Sequence, residues 1–213
     1  MALTTSRVFL ATATRDFKRT GAVAPSSKAL GGAMTRELAA HHRRPVAVLE
    51  VGGGTGSITR EIAHWLGSGD RLDVYEIDRR LASVIRHRVK TDEAFRGSAT
   101  AIRVHCRPIQ DIDRLPQYDF VISGLPFTNF EPAAVREIFE LFRSVLNPGG
   151  LCSFYEYILM RKAARMISRG QSERDRVTGV AEVVKRFIAR YEYSNEIVFR
   201  NLPPAVVHHV RFD

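Results

Sequence analysis

The chain has 213 residues, 45% of them hydrophobic, and a formal net charge of +9. This length suits one domain with a full hydrophobic core. No apolar run approaches the ~20 residues that a bilayer-spanning helix needs, which excludes an integral membrane protein. The two cysteines, Cys106 and Cys152, cannot build a disulfide framework, which suits a reducing cytoplasm.

Positive charge is concentrated at the amino terminus. Residues 1–44 contain eight basic and two acidic residues, a balance of +6, which favours a polyanionic partner, either nucleic acid or a membrane surface. Read as a helix, residues 4–20 combine an apolar face with four basic side chains against Asp16. This composition is typical of a segment that lies on an anionic membrane. A targeting peptide and a helix packed on the domain are the alternatives.

From residue 46 the pattern alternates between strand and helix. β-rich runs occur at 46–51, 71–77, 101–105, 118–123 and 151–157. Helical sequence follows the first, second and fourth runs, which predicts a parallel sheet with helices on both faces. Residues 195–200 and 205–212 flank a Leu-Pro-Pro turn and predict an antiparallel hairpin. This α/β pattern resembles the Rossmann-like, seven-stranded fold of class I S-adenosylmethionine (SAM) methyltransferases.

The first predicted turn, "EVGGGTGS" at residues 50–57, carries the clearest ligand signal. Gly52, Gly54 and Gly56 have the spacing G-x-G-x-G, which favours SAM over a dinucleotide. Glycine lets the backbone approach the methionine part of the cofactor, because no Cβ stands in the way. Glu50 is placed to meet the positive end of that part, and Ser57 begins the next helix. A tight turn without a ligand is the alternative.

Two later turns complete the predicted cofactor site. Glu76 follows the second strand about twenty residues beyond the glycine turn, where an acid can accept hydrogen bonds from both ribose hydroxyls. Ile77 lies beside it, and Asp78 fits the N-cap of the next helix better than a ligand contact. The cofactor residues expected after the third strand are Ile109 and Gln110 near the adenine ring and Asp111 near its amino group. A plain turn role stays open for Asp111.

The fourth strand ends in "SGLPF", which is the expected reacting end of the site. The predicted catalytic residues there are Ser123, Gly124, Leu125, Pro126 and Phe127, with Ser123 also counted as a cofactor contact. Amino-methyltransferases carry Asn or Asp, an apolar residue or Pro, Pro and an aromatic residue in this position. Residues 46–160 therefore resemble ribosomal-RNA adenine dimethylases. Gly124 departs from that family because it offers no side chain to a base, and the extra helical domain that those enzymes use on RNA is not expected here.

The complete pattern is similar to the soluble bacterial PmtA-type phosphatidylethanolamine N-methyltransferases over nearly the whole chain. It comprises "VAPSSKAL", "LEVGGGTGSIT", "YEID" and "SGLPF". The resemblance implies stepwise methylation of phosphatidylethanolamine, through mono- and dimethyl forms, towards phosphatidylcholine, with SAM as donor and S-adenosyl-L-homocysteine as product. It implies a cytoplasmic protein that is a monomer in solution and binds peripherally to the inner face of the cytoplasmic membrane. Residues 1–45 would be membrane-binding, substrate-gating helices and residues 46–213 the methyltransferase domain.

Methyl transfer needs an unprotonated amine that is aligned with the methyl group, so positioning is expected to dominate catalysis. The carbonyls of Ser123 and Leu125 are expected to orient the nitrogen. Candidates for an aromatic cage around it are Phe127, Phe130, Tyr155 and Tyr157, with core packing as the alternative. Tyr157 is also a candidate catalytic residue. Glu156, Tyr157 and the histidines all remain open as the proton acceptor.

Three further expectations concern partners. Ser27 opens a predicted helix whose amino terminus suits a cofactor carboxylate or a lipid phosphate, although a capped helix without a ligand is equally open. Residues 157–169 are basic and amphipathic and are expected to touch lipid, with a sheet-covering helix as the alternative. No metal is expected, because the paired histidines lack partners at ligand spacing. No nucleic-acid partner is expected, because Gly124 and the lack of a helical domain for RNA favour a lipid substrate. RNA adenine N6-methylation and small-molecule amine methylation remain the competing functions.

Overall fold

The computed structural model of the chain describes residues 26–41, 45–98, 101–113, 115, 117–158 and 171–212. The predictions for residues 4–20, and for all but the first two residues of the 157–169 segment, concern residues outside these ranges. Within them, no helix is long and apolar enough to cross a membrane.

Seven strands of the described residues form one sheet in the order β3-β2-β1-β4-β5-β7-β6. The strands are β1 Ala47–Val51, β2 Arg71–Tyr75, β3 Ile102–His105, β4 Tyr118–Ser123, β5 Leu146–Tyr157, β6 Glu192–Val198 and β7 Ala205–Arg211. Strands β1 to β5 are parallel, and β7 runs antiparallel to both β5 and β6. The predicted class I fold is confirmed.

Helices cover both faces of the sheet, as the alternating pattern predicts. They are α1 Lys28–Met34, α2 Arg36–Ala39, α3 Ser57–Trp65, α4 Arg79–Thr91, α5 Pro132–Val145 and α6 Gln171–Tyr191. Short 3-10 turns lie at Glu93–Phe95, Ile109–Asp111 and Phe127–Asn129. Asp78 caps α4 as expected, because its Oδ1 accepts hydrogen bonds from the backbone N–H of Arg80 and Leu81 at 2.8 and 3.2 Å.

Helices α1 and α2 belong to the core of the domain. Leu30, Met34 and Leu38 are at most 1% exposed and pack with residues of α3 and β1. Burying one such side chain contributes roughly 2 kcal/mol. The domain therefore begins before the predicted boundary at residue 46, because residues 28–39 share its hydrophobic core. Amphipathic helices were expected here, but these two are not a separate unit.

The centre of the sheet determines where a ligand can bind. β1 and β4 are neighbours, and the chain leaves them towards opposite edges, β1 through α3 to β2 and β4 through α5 to β5. In open α/β sheets, ligands bind in the crevice outside the carboxyl ends of two such strands. The glycine turn follows β1 and "GLPF" follows β4, so both predicted motifs meet at this crevice.

Candidate active site

A cavity opens at the carboxyl ends of β1, β2 and β4. It is lined by Val51, Gly52, Tyr75, Glu76, Ile77, Asp78, Leu81, Arg107, Pro108, Ile109, Gly124, Leu125 and Pro126. The predicted site residues among these are Gly52, Glu76, Ile77, Ile109, Gly124, Leu125 and Pro126. Four separate sequence motifs therefore converge on one cavity.

Glu76 is the best-anchored polar group of the cavity. Its side chain is buried, its Oε2 accepts a hydrogen bond from the Gly54 N–H at 2.8 Å, and its Oε1 accepts one from the Asp78 N–H at 2.8 Å. Burial raises the pKa of Glu76, while these backbone bonds lower it. A carboxylate offers about four lone-pair sites, so each oxygen keeps capacity to accept a further hydrogen bond.

The glycine turn has backbone angles that side-chain-bearing residues rarely adopt. Gly52, Gly54 and Gly56 have φ values of +79°, +57° and +83°. A Cβ on Gly54 would meet no protein atom within 4 Å, so space beside this residue is open. The positive φ, rather than crowding by neighbouring protein atoms, therefore explains why position 54 is glycine. The open space beside it is available to a ligand.

Glu50 is fully buried beneath this turn. Neither of its carboxylate oxygens has a hydrogen-bond partner among the described residues. Burial raises the pKa of Glu50 to about 8, the charge of Glu76 adds to the rise, and nearby Thr59 offsets only part of it. A buried carboxylate without a hydrogen-bond partner is costly, so a ligand group that donated hydrogen bonds to Glu50 would increase the affinity of that ligand.

The loop after β4 packs directly against the glycine turn. The Gly124 N–H donates to the Val51 carbonyl at 2.8 Å, and a Cβ on Gly124 would lie 2.7 Å from the Gly52 carbonyl oxygen. Ser123 is fully buried, and its Oγ lies 3.4 Å from the Leu125 N–H, which donates to it. The Leu125 carbonyl, expected to orient the substrate, accepts a hydrogen bond from the Phe127 N–H at 3.0 Å.

Comparison with known proteins shows what the domain resembles. Residues 48–150 match a family model described as "Methyltransferase domain". This match supports a SAM-dependent methyltransferase over these residues. The fold is shared by the O-methyltransferase TomG from Streptomyces achromogenes, solved in complex with SAM, at 18% identity and a TM-score of 0.62, covering 100% of this chain and 90% of that one. An O-methyltransferase from Bacillus cereus, solved with S-adenosylhomocysteine, shares the fold at 16% identity and a TM-score of 0.61. The match covers 98% of this chain and 91% of that one.

Two relatives resemble this methyltransferase in sequence. An ornithine lipid N-methyltransferase from Singulisphaera acidiphila is 29% identical over 194 residues, which cover 89% of this chain and 86% of the relative. A protein named "Probable ribosomal RNA small subunit methyltransferase A", from Methanococcoides burtonii, is 27% identical over 126 residues, covering 59% of this chain and 39% of the relative. The first similarity runs nearly end to end, whereas the second is confined to part of each chain.

The residues of the methyltransferase fit SAM at three points. The unpaired, buried Glu50 carboxylate suits a cationic ammonium such as that of the methionine part. Glu76, held by two backbone N–H groups, suits the ribose hydroxyls. Gln110 has a buried Oε1 without a partner among the described residues, which suits an amino group of the adenine ring.

Several predicted cofactor residues lie off the cavity surface. They are Ser27, Glu50, Gly54, Gly56, Ser57, Gln110, Asp111 and Ser123. Asp111 ends the 3-10 turn that starts at Ile109 and already has an interaction partner in the protein. The hydroxyl of Ser27 caps α1 by accepting a hydrogen bond from the Leu30 N–H at 3.1 Å, so the capped-helix alternative describes its main contact.

The cavity also contains side chains that the sequence did not single out. Arg107 donates a hydrogen bond to the Tyr75 hydroxyl at 3.0 Å and lies 5.3 Å from the centre of the Tyr75 ring. Arg107 and Tyr75 follow or end different strands, and only the β2–β3 pairing brings them together. The one sequence signal that could have pointed to Arg107 is its position directly before the "PIQD" turn.

The expected aromatic cage is corrected by the packing. Phe127 is 4% exposed and lies against Phe139 and Phe154, with ring centres 5.0 and 5.7 Å apart, and Phe130 is equally buried. Both belong to the core between the sheet and α5, because the chain turns inward after Pro126. Tyr155 and Tyr157 lie on the opposite face, with ring centres 5.2 Å apart.

The residues considered as proton acceptors have distinct surroundings. His208 Nδ1 lies 2.6 Å from Glu192 Oε1, and His208 Nε2 lies 3.4 Å from Glu156 Oε2. Burial acts to lower the pKa of His208, but the two carboxylates outweigh burial and raise it. Burial raises the pKa of Tyr157, which disfavours a tyrosinate there. Within the described ranges, no three metal-ligating side chains converge in a way that would hold an ion.

Proposed function

We propose that this methyltransferase N-methylates the amine of a membrane lipid. The observation that carries the proposal is the similarity to an ornithine lipid N-methyltransferase along 89% of the chain. The motifs "VAPSSKAL" and "SGLPF" favour phosphatidylethanolamine as the substrate, methylated stepwise towards phosphatidylcholine. Both candidate substrates carry a primary amine on a diacyl lipid, so a site for either needs the same chemistry.

When bound, SAM supplies a methyl group on a sulfonium, and transfer is an in-line displacement by a neutral amine. The work of this chain is to hold the two reactants in line. Gly52 and Gly124 keep the β1 and β4 loops in contact, and buried Leu125 and Ile109 keep water away. A C–N bond forms as the S–C bond breaks, and the nitrogen loses one proton.

A proton acceptor is available at the same edge of the sheet. Phe154 of β5 pairs with Ser123 of β4 and with His208 of β7, so the Glu156–His208–Glu192 cluster lies near the level where β4 ends. The two carboxylates raise the pKa of His208, and an imidazolium there cannot take a further proton, so the acceptor within this cluster is a carboxylate of Glu156 or Glu192. We therefore assign proton acceptance to this cluster rather than to Tyr157.

The test is transfer of label from methyl-labelled SAM to four acceptors offered separately to the full-length protein. They are vesicles containing phosphatidylethanolamine, vesicles containing ornithine lipid, soluble phosphoethanolamine, and total RNA. Vesicles of phosphatidylcholine alone lack a primary amine and are the blank. We expect label in the lipid fraction, and the better of the two vesicle types identifies the headgroup. Label in RNA or in phosphoethanolamine, with none in lipid, would overturn the proposal.

RNA adenine N6-methylation is the second candidate, because of the partial similarity to the ribosomal RNA methyltransferase. The β4 loop weighs against it. An Asn or Asp at position 124 would place a Cβ 2.7 Å from the Gly52 carbonyl oxygen, so this chain cannot present such a side chain to a base without moving the glycine turn.

We further propose that the enzyme acts as a peripheral protein on the cytoplasmic membrane, bound through residues 4–20 and 157–169. The support is composition, since each segment holds four basic residues and together they hold one acidic residue. Each basic side chain near an anionic surface contributes about 1 kcal/mol before salt screening. Vesicle sedimentation at low and high salt tests this. Binding that ignores salt and lipid charge would refute it.

A further inference from the structure

The hairpin formed by β6 and β7 exposes large apolar side chains at its tip. Phe199 and Leu202 are 75% and 79% exposed, and Ile197 at the end of β6 is 50% exposed. Arg200, also exposed, stands between the two most exposed side chains. Isolated apolar residues on a surface are ordinary, but three within six positions at one projecting turn are typical of an interaction site.

The tip is held in this form by a buried side chain. Asn201 is 3% exposed, its Nδ2 donates to the Pro203 carbonyl at 2.9 Å, and its Oδ1 accepts from the Ser27 N–H at 3.0 Å. With Asn201 fixed inward, its neighbours on either side are turned into solvent. The exposed side chains therefore stand on a supported turn.

The strand register places the tip at the same edge of the sheet as the cavity. Ala205 of β7 pairs with both Val198 of β6 and Tyr157 of β5, so residues 199–204 lie beyond the carboxyl end of β5. β5 runs parallel to β4, whose carboxyl end leads into Gly124. The apolar tip and the catalytic cavity thus face the same side of the domain.

Two basic parts of the chain join the described structure beside this tip. Ser27, hydrogen-bonded to Asn201, follows residues 1–25, which contain four basic residues and one acidic residue. The Ile158 N–H donates to the Pro204 carbonyl at 2.9 Å, and residues 159–170, which follow it, contain four basic residues and no acidic residue. Basic sequence that joins the described structure next to an apolar tip matches an anionic lipid surface better than it matches a protein partner.

We propose that Phe199, Arg200 and Leu202 at the β6–β7 tip enter the interfacial layer of an anionic lipid membrane and turn the mouth of the cavity towards the bilayer. Membrane insertion of this tip adds to the proposed lipid methylation, and its functional meaning rests on that proposed function. Phe199 and Leu202 supply apolar area, and Arg200 pairs with lipid phosphate. A lipid headgroup then reaches the cavity without leaving the membrane.

The first experiment is vesicle sedimentation of the full-length protein with the double substitution Phe199→Ser and Leu202→Ser. We expect binding to vesicles rich in anionic lipid to fall about tenfold or more, because two large apolar side chains no longer enter the interface. The matched control is Leu115→Ser, which removes an apolar side chain that is 62% exposed but precedes β4 and so lies at the opposite edge. Calorimetric SAM affinity should be unchanged in both variants. Equal vesicle binding by the double variant and the parent would overturn the proposal.

A second experiment reports insertion directly and does not depend on activity. In a Trp65→Phe background, which removes the single native tryptophan, Phe199→Trp gives one reporter at the tip. We expect a blue shift of its fluorescence with anionic vesicles and quenching by lipids brominated on the acyl chains. No quenching, or a shift that follows self-association without vesicles, would overturn the proposal. Quenching without methylated lipid would instead refute the proposed substrate and leave membrane insertion standing.

Discussion

Replacing Glu50 with glutamine tests whether this buried carboxyl is reserved for the cofactor. Gln has the same shape but cannot ionise, so the substitution removes a charge and leaves the packing intact. Glu50 is 0% exposed, and burial raises its pKa from 4.5 to about 8. The folded state therefore holds a proton that the unfolded chain has released between these two pH values. Stability is highest below the unfolded pKa and is lost as pH rises towards the folded pKa.

The size of this effect follows from the two pKa values. Linkage of one site with pKa values of 4.5 and about 8 predicts that the folded protein without cofactor loses about 4 kcal/mol of stability between about pH 5 and pH 9. Glu50→Gln removes that loss. The variant without cofactor should be the more stable of the two at about pH 8, although it lacks the carboxylate that we expect SAM binding to require.

The assay is urea denaturation of parent and variant at several pH values, each without cofactor. Glu182→Gln is the matched control, because Glu182 is an exposed glutamate on α6 and its replacement should leave the pH slope unchanged. Titration calorimetry of SAM at about pH 7, in two buffers of different ionisation enthalpy, then counts protons. We expect the parent to release close to one proton on binding and the variant none, with much weaker affinity. Equal pH slopes for the parent and Glu50→Gln would refute the reasoning.

Three further expectations rest on the same site. Gly54→Ala and Gly149→Ala impose the same strain, since both glycines have positive φ and open surroundings, and each should lower the free energy of unfolding by about 1 kcal/mol. Only Gly54→Ala should weaken SAM binding measured by calorimetry, by about tenfold or more. Equal SAM affinity in the two variants would contradict a cofactor contact at Gly54. Glu76→Gln should weaken SAM binding about tenfold or more, because its amide NH₂ would face one of the two backbone N–H groups that now donate hydrogen bonds to Glu76. Unchanged SAM affinity would count against a role of Glu76 in cofactor binding. Deleting residues 1–20 should abolish salt-sensitive binding to anionic vesicles, whereas undiminished binding by the truncated protein would exclude this segment.

The fold could be predicted because its signals are local. Apolar runs ending in glycine or acid mark β1, β2 and β4, and the Leu-Pro-Pro turn marks the final hairpin. The strand limits agree closely, except that β6 begins at Glu192 rather than at Asn195 and β5 begins at Leu146 rather than at Leu151. Asp78 was identified as a helix cap because capping depends on neighbours only two and three residues away.

The remaining features depend on contacts between residues far apart in the chain. Arg107 and Tyr75 meet only because β2 pairs with β3, and His208 meets Glu156 and Glu192 only because β7 lies between β5 and β6. Composition also could not separate α1 and α2 from the basic segment before them. Their apolar residues are few, and their burial depends on the surface that α3 and β1 provide.

The departure at Gly124 connects the fold with the choice of substrate. In this chain the β4 loop lies so close to the glycine turn that even a Cβ at position 124 would meet the Gly52 carbonyl oxygen at 2.7 Å. A site built this way cannot fix an acceptor nitrogen through a side chain at that position, as an enzyme specific for one base edge would require. It must rely on backbone, on apolar walls and on delivery of the acceptor from outside. A lipid amine satisfies that requirement, because the membrane itself restricts where the headgroup can lie, and in our proposal the exposed tip with Phe199, Arg200 and Leu202 holds the cavity against it.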